Sequence, residues 1–129
     1  MGVMKIGLDY HGVIDAVPEF FGLISQLLCE DGHEVHIITG AENTEELQKN
    51  LANAGMHWTH LFSISDYHKE KGTQMWRDEK GTPWMSADLW NMAKAKYCTE
   101  HEIDVHLDDT ARYGEYFTTP FVLFQKRKP

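Results

Sequence analysis

The sequence predicts an α/β fold, a Rossmann-like three-layer sandwich around a mainly parallel sheet. Two observations carry that prediction. Short apolar runs alternate with stretches of helical periodicity along the 129 residues, the pattern of right-handed strand, helix, strand units. The apolar runs also stop on polar residues, at Asp9, at Thr39 and at the pair Asp108 and Asp109. In an open α/β sheet the carboxyl ends of the strands are where ligands bind. The length suits one domain with one core over residues 1–129, interrupted by a small flap or hairpin over about 66–85.

Each element has its own signal. Residues 3–9, "VMKIGLD", read as a strand buried on both faces. Pro18 suits a first helical turn, and the helix that follows repeats apolar residues at Phe20, Leu23, Ile24, Leu27 and Leu28, the face expected to be buried, until Gly32. "EVHIITG", residues 34–40, is a second strand. A second helix follows, with Asn43 or Thr44 as cap, an acidic first turn and Gly55 at its end. "HLFSIS", residues 60–65, reads as a third strand. Residues 66–85 break the rhythm, with aromatic-bearing runs on either side of Asp78, Glu79, Lys80 and Gly81, as in a hairpin. Ser86 caps a further helix, after which "DVHLDD" and "PFVLF" are strands.

Composition narrows the function classes. Twelve Lys and Arg against twenty Asp and Glu leave a formal net charge of −8, which speaks against a broad basic surface for duplex DNA. The one cationic run, residues 125–129, reads as a solvated tail. Cys29 and Cys98 form neither a CxxC pair nor a disulfide framework, so two buried thiols in a reducing compartment are expected. With no run of about eighteen apolar residues and no apolar N-terminal stretch, the expectation is a cytoplasmic protein without a membrane partner.

The polar strand ends carry the chemistry. Carboxylates at Asp9, Asp108 and Asp109 would repel one another in a partly dry cleft unless a cation intervened. An all-oxygen donor set suits Mg²⁺, which often shares its coordination with substrate phosphate. Asp9 could then attack phosphorus in line, Thr39 could donate its hydroxyl to a phosphoryl oxygen, and a lysine could neutralise the remaining charge.

"KIGLDYHGVID", "VHIITG" and "DVHLDD", in this order, resemble the first, second and fourth motifs of the haloacid dehalogenase (HAD) superfamily. The resemblance spans residues 5–109 and implies a small capless phosphatase-type member. It implies Asp9 as nucleophile, Thr39 with Gly40 as phosphate ligands, and Mg²⁺ held by Asp9, Asp108, Asp109 and the main-chain carbonyl of His11. The substrate it implies is a phosphate monoester, either a small molecule or a phosphorylated nucleic-acid end. Two positions depart from the family pattern. His11 stands where the family has its acid/base aspartate, and an imidazole can do that work near neutral pH. The third-motif lysine is not obvious: Lys94 is favoured over Lys96, which lies roughly 200° away around the helix, and Lys69, Lys71 and Lys80 are substitutes from the flap.

Three readings follow. The first is a Mg²⁺-dependent phosphohydrolase working through an aspartyl-phosphate, with Asp9, His11, Thr39 and Lys94 as catalytic residues. The second is a catalytically degenerate fold that binds a phosphorylated ligand or a protein partner. The third, a receiver-like phosphotransfer domain, places its acidic pair after the first strand, unlike this chain. His57 and His60 form an H-x-x-H pair with no third ligand evident, and Trp58, Trp76, Trp84 and Trp90 could stack on a base or sugar or simply pack.

Overall fold

A computed structural model describes residues 2–81 and 83–126. Five strands form one parallel sheet in the order β3-β2-β1-β6-β7, where β1 is Lys5–Leu8, β2 Glu34–Thr39, β3 His60–Ser63, β6 Val105–Asp108 and β7 Phe121–Leu123. Between them run α1 (Pro18–Glu30), α2 (Glu45–Asn53), α3 (Ile64–Glu70), α4 (Ala87–Glu100) and α5 (Ala111–Gly114). A separate antiparallel pair, β4 (Trp76–Arg77) and β5 (Pro83–Trp84), makes the predicted hairpin.

The apolar strand runs follow from burial on both faces. Val35 and Ile37 pack with Leu8, Phe21, Leu47 and Leu51 on one side, whereas Ile38 packs with Tyr97, Cys98 and Ile103 on the other. Successive side chains of a strand point to opposite faces, so β2 must be apolar at neighbouring positions to serve both layers. The sheet is thus sandwiched between helices, a Rossmann-like α/β arrangement. No helix among the described residues is long and apolar enough to cross a membrane.

Several expectations need correction. Phe20, Leu23 and Leu27 are exposed, and α1 buries Phe21, Gly22 and Ser25 instead. The helix is apolar on more than one side, so its periodicity alone did not fix which side meets the sheet. Residues 64–70, read as the end of a strand and the start of the flap, form α3, whose start is fixed by the Ser63 hydroxyl accepting from the Asp66 N–H at 3.1 Å. Thr44 is the cap of α2, its hydroxyl accepting from Leu47 N–H. Ser86 occupies the N-cap position of α4 without a side-chain capping bond. Both cysteines are free thiols; Cys98 is buried, with burial pushing its pKa up to about 12, but Cys29 is only half-buried. Of the basic tail, residues 127–129 lie outside the described residues.

Candidate active site

Strand register assembles the site. Leu8 lies beside Ile37 on one flank and Leu107 on the other, so the next residue, Asp9, comes level with Ile38 and Asp108, and Thr39 stands one step beyond. The Asp9 N–H continues the ladder by donating to the Leu107 carbonyl at 3.0 Å. The chain then leaves the sheet through a tight turn. His11 is extended, and Gly12 takes φ +81°, a left-handed conformation that disfavours any Cβ. A Cβ at Gly12 would also lie 2.0 Å from Asp109 Oδ2, so glycine lets the two loops touch. Asp15 pins the turn: its Oδ1 accepts from the Gly12 N–H at 2.7 Å and its Oδ2 bonds His11 Nδ1 at 3.2 Å.

Of Lys94 and Lys96, it is Lys94 that reaches the carboxylates at the strand ends. Its Nζ donates to Asp9 Oδ1 at 2.9 Å and to Asp108 Oδ2 at 2.8 Å, and all three side chains are buried. Lys96 is exposed and pairs loosely with Glu100. A helix of 3.6 residues per turn can aim only one of the two at the sheet, and packing aims Lys94. The ring of Tyr113 lies 5.0 Å from the Lys94 nitrogen, a cation–π contact.

Asp108 is wholly buried and fully engaged. Besides Lys94, its Oδ2 accepts from His106 Nε2 at 2.9 Å, while Oδ1 accepts from the Thr110 N–H at 3.2 Å. His106 and Asp108 are two apart on β6 and so share a face; that spacing was the available signal for His106, which sequence reading passed over as one more strand residue. Burial holds His106 in its neutral form, its pKa lowered.

The three ionisable groups differ in a consistent way. Burial raises the Asp9 pKa from 3.8 to about 7; Lys94 opposes this, and Asp108 and Asp109 add to it. Burial also acts to raise Asp108, but the His106 hydrogen bond and Lys94 outweigh it, and Asp108 is held below its ordinary value. Lys94 is disfavoured by burial yet raised, because the two carboxylates around it prevail. With one cation shared between two buried carboxylates, Asp108 stays ionised and Asp9 is the group that takes up a proton.

Above these groups opens a cleft of about 550 Å³ lined by Asp9, His11, Thr39, Gly40, Lys94 and Asp109 among others. Thr39 is fully buried, and its hydroxyl accepts from the Ala41 N–H at 3.1 Å. Two serines fix the loop after it: Ser65 donates to the Gly40 carbonyl and Ser63 to the Ala41 carbonyl, each at 2.7 Å. A Cβ at Gly40 would sit 2.4 Å from the Trp90 ring, so glycine admits Trp90 as a wall of the cleft, and Trp90 Nε1–H donates to Tyr113 at 2.9 Å. Of the four tryptophans that could stack on a ligand or simply pack, Trp90 is the one that lines this cleft, and Tyr113 is a lining residue that sequence reading did not single out; their positions depend on how α4 and α5 pack. The His11 imidazole lies at the rim, its side chain 69% exposed.

Asp9, Asp108 and Asp109 each bring one carboxylate oxygen within 4.8 Å of the others. Thus the structure gathers Asp9, Thr39, Gly40, Lys94, Asp108 and Asp109, with His11 at the margin. Comparison with protein-family models, with curated proteins and with solved structures gave no significant match.

Proposed function

We propose that the chain is a Mg²⁺-dependent phosphohydrolase acting on phosphate monoesters through an aspartyl-phosphate at Asp9. The observation that carries this reading is Lys94 bridging Asp9 and Asp108 beneath a cleft that also presents Thr39 and Asp109.

The donor set fits the ion: three carboxylates within 4.8 Å make a hard, all-oxygen cluster. Asp9 and Asp109 line the cleft and would hold Mg²⁺ from it, with Asp108 behind them. When bound, the ion neutralises charge on the phosphoryl oxygens and favours ionised carboxylates.

The chain's own residues do the rest. Asp9 Oδ1 is held by the Tyr10 N–H and Lys94 Nζ, which leaves Oδ2 for attack on phosphorus. As that bond forms, the ester P–O bond breaks, and the departing alkoxide takes a proton from His11. Water then attacks the phosphorus of the acyl phosphate, giving its proton to His11, and the Asp9–phosphorus bond breaks to release inorganic phosphate. Asp15, bonded to His11 Nδ1, orients the ring and leaves Nε2 for proton transfer. Thr39 and Lys94 stabilise the charge on the transferred group.

A second reading keeps the fold as a binder of phosphorylated ligands without turnover. It is favoured by the position of the His11 imidazole, at the rim and engaged with Asp15. Assay of p-nitrophenyl phosphate, phosphorylated metabolites and 5′- or 3′-phosphorylated oligonucleotides, with and without Mg²⁺, separates the two. The phosphohydrolase reading expects Mg²⁺-dependent turnover that is abolished in Asp9→Asn and slowed about 10²- to 10⁴-fold in His11→Ala. Full activity in Asp9→Asn would refute it. Ligand binding without turnover, unchanged in His11→Asp, would favour the second reading.

A further inference from the structure

Away from the cleft, on the α4 side of the sheet, β2 and β3 bring together a second set of metal-ligating side chains. Glu34 and His36 are two apart on β2 and so share a face, and His60 is the register partner of His36 on the neighbouring edge strand β3. His36 Nε2 lies 2.8 Å from Glu34 Oε1, and His60 Nδ1 lies 3.9 Å from the same oxygen. One ligand atom from each of the three falls within 4.8 Å of the others.

We propose that Glu34, His36 and His60 form a site for a borderline transition-metal ion of the Zn²⁺ class, bound through His36 Nε2, Glu34 Oε1 and His60 Nδ1. Two imidazoles and one carboxylate are a donor set that such ions favour, whereas Mg²⁺ selects the all-oxygen cluster of the cleft. His36 is preset for the role. It is buried, and its second nitrogen, Nδ1, lies 2.7 Å from the Tyr97 hydroxyl. That partner survives metal binding: with Nε2 turned to the ion, Nδ1 carries the proton and donates to the Tyr97 oxygen, since a hydroxyl serves as donor or acceptor.

His60 is the residue that adjusts. Its ring stacks on that of His36 with centroids 4.1 Å apart and planes 5° from parallel, and an ion bound in the plane of one ring cannot lie in the plane of the other. The His60 side chain is 48% exposed, and Nδ1 bonds only the neighbouring Thr59 hydroxyl among the described residues, at 2.9 Å. Turning the ring costs it little packing and opens the site to solvent, leaving a fourth position for water. An ion held this way ties the edge strand to the sheet, so its binding stabilises the fold.

Calorimetric titration of the chelator-treated chain with Zn²⁺, in excess Mg²⁺ to fill the acidic cleft, tests the site. Binding of one equivalent is expected in the wild type and in Asp109→Asn, weakened by more than about tenfold in His60→Ala and in Glu34→Gln. Because His60 is a surface residue, His60→Ala folds, and its thermal midpoint should lose the rise that Zn²⁺ gives the wild type. Co²⁺ in place of Zn²⁺ should give a visible absorption band of a low-coordinate, nitrogen-bearing site, absent in His60→Ala. No binding in excess Mg²⁺, equal binding in His60→Ala, or loss of binding in Asp109→Asn would each overturn the proposal.

Discussion

Asp9 is buried beside Lys94 with its pKa raised to about 7, and this sets a trade between chemistry and stability. The folded chain holds that proton more tightly than the unfolded chain does. The stability it contributes is therefore complete below the ordinary value of 3.8 and is lost as pH rises through about 7. Chemical unfolding across this range should show the wild type declining relative to Asp9→Asn by an amount on the order of a few kcal/mol, and added Mg²⁺ should shrink the difference. Parallel curves for the two proteins would show that Asp9 is not strained by its ionisation. Lys94→Met is expected to act in the opposite sense. It strands two buried carboxylates without their cation and should cost about 3–5 kcal/mol near neutral pH, partly regained when Mg²⁺ is added or the pH is lowered. Equilibrium denaturation of the variant at two pH values checks this.

Among the elements, strands were easier to read than helices. An apolar run that halts on a polar residue marks a strand and its carboxyl end, so the meeting of Asp9, Thr39, Asp108 and Asp109 at one edge of the sheet was legible without any tertiary information. Helix phase was not. In α1 the row Phe20, Leu23 and Leu27 looked like the inner face because it is apolar, yet Phe21 is the residue that meets Phe124 and the core. Phe21→Ala should therefore cost about 3–5 kcal/mol, and Phe20→Ala should stay within about 0.5 kcal/mol; denaturant midpoints of the pair distinguish the faces. Lys94 and Lys96 posed the same problem, and only the docking of α4 on the sheet resolved it. The short helices α3 and α5 gave no usable period at seven and four residues. His106 and the Glu34, His36 pair were visible as residues but not as partners, since their neighbours come from other strands and from α4.

For the molecule as a whole, the acidic balance of −8 and the gathering of three carboxylates at one sheet edge point the same way. Folding concentrates negative charge where the proposed cation and phosphate would meet it. Under this account Mg²⁺ binds the folded chain and not the unfolded one, so at about 100 times its dissociation constant it adds roughly 2.7 kcal/mol. Thermal unfolding should register that as a rise of several degrees in the wild type, diminished in Asp109→Asn; an unchanged midpoint at high Mg²⁺ would remove the ion from the account. Zn²⁺ acting at β2 and β3 should raise the midpoint independently, in both proteins.

The central claim is that phosphorus becomes bonded to Asp9. Acid quenching during turnover of a phosphate monoester, followed by borohydride reduction and peptide mass spectrometry, reads that bond directly, because an aspartyl-phosphate is reduced to homoserine. Homoserine at position 9, formed only with substrate and Mg²⁺, is the predicted result. Turnover with an unmodified Asp9, or with the label on another carboxylate such as Asp108 or Asp109, would contradict it.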